Sequence, residues 1–196
     1  VTIPTTSTEL FENWIPARFA EFLATNTGKT IQPNEHCSVV VTVDAQSWLL
    51  QIRERQLTVT PSPSDAPASF RLQVSGATLE RFVLSELANL PPVPENTPPS
   101  SPLLKLLSLD DESLELVQAI PGGLKLVVKD GETHYSATLG PGSRPLSPAA
   151  CTMSCSLTDA DLLRGGKVQP MELFFGGRIQ LEGDPQVAMG LAGLLL

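Results

Sequence analysis

Positive charge is scarce in this chain: 13 lysines and arginines stand against 21 acids, a net charge of −8. Nucleic acids and anionic membrane surfaces attract basic patches, so this balance argues against both unless a local basic patch exists. No run of 18 apolar residues occurs, so no stable insertion across a membrane is expected. Val1-Thr2-Ile3-Pro4 offers neither a basic start nor a following apolar stretch, so no signal peptide is expected. Histidines number two and cysteines three. His36, Cys37, His134, Cys151 and Cys155 show no paired Cys-x-x-Cys or His-x-x-x-His spacing. No metal is therefore expected, and the cysteines read as small buried hydrophobes. A nucleophilic pair of Cys37 or Cys151 with His134 has no supporting context. Cys151 and Cys155 lie in a segment patterned as a strand, about 13 Å apart if extended, which is beyond disulfide reach. Reduced thiols and a cytoplasmic setting are expected. Aromatic residues are few, and Trp14, Phe11, Phe19 and Phe22 have only Arg18 nearby, so they read as core rather than as a base-stacking platform.

What the chain does have is apolar content, 41% of 196 residues, and 18 prolines and 14 glycines that punctuate it. That suffices for one large domain or two small ones. Thr6-Ser7-Thr8-Glu9 matches a capping box and opens a helix carrying Leu10, Phe11, Trp14, Ile15, Phe19, Phe22 and Leu23. Pro16 inside it predicts a kink or two abutting helices. Cys37 to Val43 and Ser47 to Ile52, joined by Asp44-Ala45-Gln46, predict a hairpin, and Leu57 to Thr60 a further strand. Phe70, Leu72 and Val74 alternate as another strand, after which Ser75 caps a helix with Leu79, Phe82, Val83, Leu87 and Leu90.

Residues 91–102 hold six prolines in twelve positions, which sustains neither a helix nor a central strand and reads as a stiff connector between two units, 1–90 and 103–196. The element order then returns: an apolar helix-like run from Leu103 to Ile120, a hairpin turning at Asp130-Gly131, a Pro/Gly-rich loop, a strand from Cys151 to Leu157 and a helix opening at Thr158. Asp159 and Asp161 read as first-turn residues that complement the helix dipole rather than as paired acids. Gly165-Gly166-Lys167 lacks the surroundings of a phosphate loop. Only the second half adds a closing strand, in which Ile179 and Leu181 alternate with Arg178, Gln180 and Glu182. Gly183 ends it, Asp184 is the expected N-cap and Pro185 the first helical residue. Val187, Leu191, Leu194 and Leu195 share one face of the helix that follows.

Leu157-Thr158-Asp159-Ala160-Asp161-Leu162, Gly166-Lys167-Val168-Gln169-Pro170, and the run from Phe174-Phe175-Gly176-Gly177-Arg178 to Gly183-Asp184 together resemble the sterol-carrier-protein-like (type 2) family of lipid-binding domains. The resemblance covers about residues 120 to 196 well and residues 9 to 90 loosely, where Trp48 resembles a tryptophan common in the family. The first half is thus a degenerate copy that lacks the closing strand and helix. The second half carries Gly140-Pro141-Gly142-Ser143-Arg144-Pro145 in place of the family's third strand.

The resemblance implies an α+β fold with an internal pseudo-repeat: a mixed sheet covered by helices, enclosing an apolar tunnel. It implies non-catalytic binding of a hydrophobic ligand, such as a fatty acyl chain, a sterol, an acyl-CoA or an isoprenoid quinone, without a cofactor. The expected lining residues are Trp48, Phe70, Phe174, Ile179, Leu181, Met189 and Leu191. Two alternatives stand beside it. One is an accessory module that uses its sheets to form a homodimer or to dock on a partner enzyme. The other is an enzyme in which His134 or Cys151 converges on the cavity.

Overall fold

The computed structural model describes residues 2–25, 34–87, 106–107 and 109–195. The 91–102 connector and Leu90 and Leu103 lie outside them. So do the side chains of Leu194 and Leu195.

Thr6 and Glu9 form the expected capping box: the Glu9 N–H donates to Thr6 Oγ1 at 3.1 Å, and Glu9 Oε2 accepts from the Thr6 N–H at 3.3 Å. Two abutting helical segments meet beside Pro16, as its position predicts. A π-helical segment, Glu9–Trp14, runs directly into α1 (Ile15–Thr25), with the Ile15 N–H donating to the Leu10 carbonyl. In regular α geometry the Pro16 ring would collide with the carbonyl four residues back, and widening the turn by one residue relieves that clash.

Eight strands follow: β1 (Ser38–Val43), β2 (Gln46–Arg53), β3 (Gln56–Pro61), β4 (Phe70–Val74), β5 (Leu124–Asp130), β6 (Thr133–Pro141), β7 (Cys151–Ser156) and β8 (Gln180–Gly183). They form one mixed sheet in the order β3-β2-β1-β4-β6-β5-β7-β8. Helical segments fill the connections. α2 (Gly76–Leu79) continues through a π-helical segment, Glu80–Leu84, into α3 (Ser85–Leu87), and α4 (Asp111–Gln118) precedes β5. α5 (Leu157–Arg164) and α6 (Pro170–Phe175) lie between β7 and β8, and α7 (Pro185–Leu195) ends the described chain.

The two halves are not separate sheets. β1 pairs antiparallel with β2 and parallel with β4, and β5 repeats this with β6 and β7. On the outer side of β2 lies β3, whereas the equivalent side of β6 is taken by β4. On the outer side of β7 lies β8, whereas the equivalent side of β4 is taken by β6. Each half therefore supplies the strand that the other lacks, along an antiparallel seam from Phe70↔Pro141 to Val74↔Ala137. The Gly142 N–H donates to the Ser69 carbonyl at 2.8 Å at one end of the seam, and the Ser136 N–H to Thr78 Oγ1 at 2.8 Å at the other. A Cβ on Gly142 would meet the Ala68 carbonyl oxygen at 1.7 Å, so only glycine fits there.

Strand alternation and register sort the side chains onto two faces. One face carries Ile52, Leu50, Trp48, Val39, Val41, Phe70, Leu139, Leu124 and Cys151, all buried, and it is the face that the helices cover. The other carries mainly Thr, Ser, Gln, Arg and Lys, as expected for a sheet wetted on one side.

Several local expectations shift by a residue or a turn. The run from Leu103 to Ile120 is not one helix: Asp110 is an N-cap that accepts from the Ser113 N–H at 2.8 Å, and it starts α4 afresh. The second hairpin turns at Gly131-Glu132, one residue beyond Asp130-Gly131, because Asp130 still pairs with Thr133. The helix after β7 opens at Ser156 rather than Thr158, with Ser156 Oγ accepting the Asp159 N–H at 3.1 Å. β8 begins at Gln180, two residues later than Arg178.

Candidate functional site

The apolar face of the sheet is sealed unevenly. In the first half, Leu10, Phe11 and Phe19 close over it. Trp48 is buried there, stacked on Phe11 at 4.8 Å between ring centroids, with its indole N–H donating to Glu12 Oε1 at 2.9 Å. Phe70 is fully buried in mid-sheet. Both expected lining residues are buried on the covered face of the sheet.

In the second half, register sets side chains in rows that cross the strands. One row, Leu139, Leu124 and Cys151, is buried. The next, Val74, Ala137, Leu126, Met153 and Leu181, is half-buried on all five strands from β4 to β8. With strands about 4.8 Å apart, it makes an apolar strip roughly 19 Å long. A third row, Tyr135, Val128 and Cys155, is also half-buried. No charged side chain belongs to these rows.

Each covering element is fixed by its own sequence. Pro185 and Asp184 start α7, the Asp184 carboxylate accepting the Gln186 N–H at 2.9 Å, and Val187, Ala188 and Leu191 bury against the sheet. The absence of a side chain at Gly190 lets Ile120 lie against this helix. At the third row, Phe82 meets Tyr135 edge-on at 5.4 Å. The guanidiniums of Arg81 and Arg164 lie 5.4 and 5.5 Å from the Phe82 ring. Asp161 holds Arg81 and Arg164 at 3.7 and 3.6 Å, and Glu86 holds Arg164 at 3.4 Å. Segments from the two halves thus clasp over one end of the strip.

Of the other expected lining residues, Leu181 belongs to the half-buried row. Ile179 is buried, and its backbone N–H donates to the Leu173 carbonyl at 3.2 Å, while Leu191 is buried under α7. Two are misplaced. Met189 is 78% exposed, because Val187, Ala188 and Leu191 define the inward face of α7 and Met189 falls outside it. Phe174 is 42% exposed, because Leu173 is the α6 residue that turns inward. Sequence reasoning missed Ala137, Leu126 and Met153. Strand alternation marks them as inward-facing, but only the assembled register shows that their row is the open one.

The groups considered for chemistry do not converge. His134 is exposed opposite Lys129 at one end of β5, and Cys151 is buried opposite Leu124 at the other. Burial pushes the Cys37 thiol up to about 12, while its Sγ lies 3.1 Å from the Leu106 carbonyl. Burial, with a smaller contribution from Asp184, raises Cys151; burial, with Asp159, raises Cys155. Thiols held this way are poor nucleophiles. Asp159 sits in the first turn of α5, as expected, and is buried there, accepting from Ser156 Oγ at 2.7 Å and paired with Arg178. Among the described residues no cluster of three or more His, Cys, Asp or Glu side chains could hold a metal, and no helix is long and apolar enough to cross a membrane.

Two open hollows lie away from the strip. One of about 710 Å³ is bordered by Ile3–Ser7, the β1–β2 turn and Leu79–Ser85. Another of about 440 Å³ lies beside Thr8, Glu12 and Trp48.

The family model described as the SCP-2 sterol transfer family matches residues 103–196. That segment contributes four of the five side chains in the half-buried row. Residues 103–196 are an SCP-2 family domain. The bovine (Bos taurus) and chicken (Gallus gallus) proteins named sterol carrier protein 2 are 34% and 32% identical to the chain over 97 residues, each alignment covering 45% of this chain. The alignments span only 18% of those relatives' length. Among solved structures, a sterol carrier protein 2 like 2 from Aedes aegypti matches 60% of this chain and 95% of its own, at 17% identity and a TM-score of 0.34. An apo sterol carrier protein 2 from Yarrowia lipolytica matches 43% of this chain and 74% of its own, at 19% identity and a TM-score of 0.33. In this chain the SCP-2 segment shares its sheet with the first half through β4, so the open row starts on a strand outside the matched residues.

Proposed function

We propose that this chain binds and carries a hydrophobic small molecule in the layer between the half-buried strip and its covering helices, and does no chemistry on it. The observation that carries this reading is the strip itself: Val74, Ala137, Leu126, Met153 and Leu181 present a continuous apolar surface that the fold leaves incompletely covered, within an SCP-2 segment. A core row of that length is normally sealed, because burying apolar area is the main gain of folding. Leaving it open suits a ligand that completes the packing. The uniformly apolar lining favours ligands recognised by shape and hydrophobicity, of the fatty acyl, sterol, acyl-CoA or isoprenoid-quinone type. High-pKa thiols and a separated His134 and Cys151 support binding over catalysis, and three unpaired cysteines fit a reducing compartment.

Native mass spectrometry with lipid extraction after expression, followed by uptake of fluorescent fatty acid, sterol and quinone analogues by delipidated protein, tests the reading. Ala137→Trp, which fills the middle of the strip, is expected to abolish uptake while the protein stays folded. No co-purifying lipid together with no uptake of any analogue overturns it.

A further inference from the structure

The row that carries the strip continues past Val74. Val43 on β1 is the Cα partner of Val74 and lies on the same face, so the row runs over six strands from Val43 to Leu181. With strands about 4.8 Å apart, that is roughly 24 Å. The hollow of about 710 Å³ borders none of the strip's five side chains, but Val43 forms part of its wall. It therefore lies one strand beyond the strip, on the side of the sheet that the helices cover. Leu79, Leu84, Pro4 and Ile3 add to its apolar wall, and Ile3 is left 47% exposed there.

The polar wall is fixed by local hydrogen bonds. Glu9 Oε2 accepts from the Thr5 and Thr6 N–H groups at 2.9 and 3.3 Å, which shapes the N-terminal segment. The Ser7 hydroxyl donates to Gln46 Oε1 at 3.3 Å and ties that segment to β2. Asp44 takes left-handed backbone, φ 51°, in the β1–β2 turn, with its N–H donating to the Val74 carbonyl at 3.3 Å and its Oδ1 accepting the Gly76 N–H at 3.0 Å. A Cβ on Gly76 would come within 2.5 Å of Asp44 Oδ2, so the glycine leaves the carboxylate its room. Asp44 and Glu80 both border the hollow, and no Lys, Arg or His does. Neither acid has an ion-pair partner among the described residues; Arg81, next to Glu80, lies at Asp161 instead.

A chamber lined by acids with no compensating base holds a negative potential, and its apolar walls focus the field. A carboxylate or phosphate placed there is repelled, whereas an ammonium or hydroxyl donates hydrogen bonds to the acids. We propose that this hollow seats the polar end of the carried molecule and selects an end that donates hydrogen bonds and bears no negative charge, an amine or an alcohol, with the apolar tail laid along the row towards Leu181. The inference rests on the carrier reading and narrows it. It also gives the first half, which lies outside the SCP-2 segment, a part in choosing the ligand.

The test compares hexadecylamine, hexadecanol and hexadecanoic acid, which share one tail, by titration calorimetry of the delipidated whole chain at about pH 7, where the amine is cationic and the acid anionic. The amine is expected to bind most tightly and the acid least, with about tenfold or more between them. Asp44→Asn with Glu80→Gln is expected to close most of that gap while the alcohol changes little. Asparagine keeps an acceptor for the Gly76 N–H and tolerates left-handed backbone, and an unchanged thermal midpoint shows that the variant is folded. A photoreactive group beside the polar end is expected to label residues 3–7, 44–46 or 79–85, and one at the tail end to label β7 or β8. Equal affinities, a tighter acid, an order that the variant leaves unchanged, or labelling by the polar end confined to α7 each overturn the inference and leave the carrier reading standing. Binding of none of the three, when a fluorescent analogue is still taken up, does the same; no uptake of any ligand overturns both.

Discussion

The guanidinium of Arg178 closes on the carboxylate of Asp159, a residue only 5% exposed. This contact joins the entry of β8 to the first turn of α5. Asp159 also accepts from the Ser156 hydroxyl, so the same carboxylate completes the cap of α5.

Replacing Arg178 with alanine leaves that carboxylate buried with a single partner. Removing one member of a buried pair is costly, but half of this pair is solvated, so a loss of about 1–3 kcal/mol is expected. Arg178→Lys should recover part of it, since an ammonium restores charge without the planar fork. Urea unfolding midpoints check both; an unchanged midpoint for the alanine variant would remove the pair from any structural role.

The seam between β4 and β6 predicts how the halves behave apart. Cutting the chain within the proline-rich connector and expressing 1–90 or 103–196 alone removes the partner of one strand and leaves five pairs from Phe70↔Pro141 to Val74↔Ala137 unmade. Each half is expected to be oligomeric or unfolded alone, and the two are expected to associate into a monomer-sized complex when expressed together. Size-exclusion chromatography and amide dispersion in NMR spectra report this. A well-dispersed monomeric 103–196 would show that the SCP-2 segment needs nothing from β4.

Cysteine chemistry follows burial. With its pKa raised to about 12, Cys37 is expected to resist iodoacetamide in the native protein at pH 8 and to react once the chain is unfolded. A raised thiol pKa means that the folded state holds its proton more tightly than the unfolded state. The associated stability is fully present below the unfolded value near 9 and is lost as pH rises towards 12. Mass spectrometry of labelled peptides, together with thermal midpoints measured upward from pH 8.5, tests both statements. Rapid native labelling of Cys37 would contradict them.

The β2–β3 turn carries a local strain that can be relieved. Glu54 and Arg55 both adopt left-handed backbone, with φ of 49° and 62°, in a two-residue turn that favours Asn-Gly. Glu54→Asn with Arg55→Gly is expected to raise stability by about 1 kcal/mol, read as a higher thermal midpoint. A lowered midpoint would mean that the two side chains make contacts worth more than the strain.

Signals confined to a few neighbouring residues were legible in the sequence. Thr6 and Glu9 declared their capping box, Asp184 and Pro185 the start of α7, and the alternation of Phe70, Leu72 and Val74 a strand. The fold class follows from such elements. The seam does not, because backbone pairing between Leu72 and Leu139 places no demand on either side chain that a different neighbour would not place equally. The site was legible only in part for the same reason. Strand alternation marks Leu181, Met153 and Ala137 as inward-facing no differently from the sealed Leu139 and Leu124, and depth depends on where the helices come to rest. The outward orientation of Phe174 was not legible, because hydrophobicity alone does not distinguish a residue facing the core from one facing out; the buried position on α6 belongs to its neighbour Leu173.

The seam also has a kinetic side. It joins residues such as Val74 and Ala137 that are far apart along the chain, whereas each hairpin closes over a two-residue turn. Hairpins form in microseconds, while distant pairings wait on loop closure, so the middle of the sheet is the last part to zip. Closure entropy grows only with the logarithm of loop length, and doubling the connector costs about 0.6 kcal/mol. The intervening segment is therefore free to drift in length over evolutionary time, while the five paired positions on either side of the zipper are not.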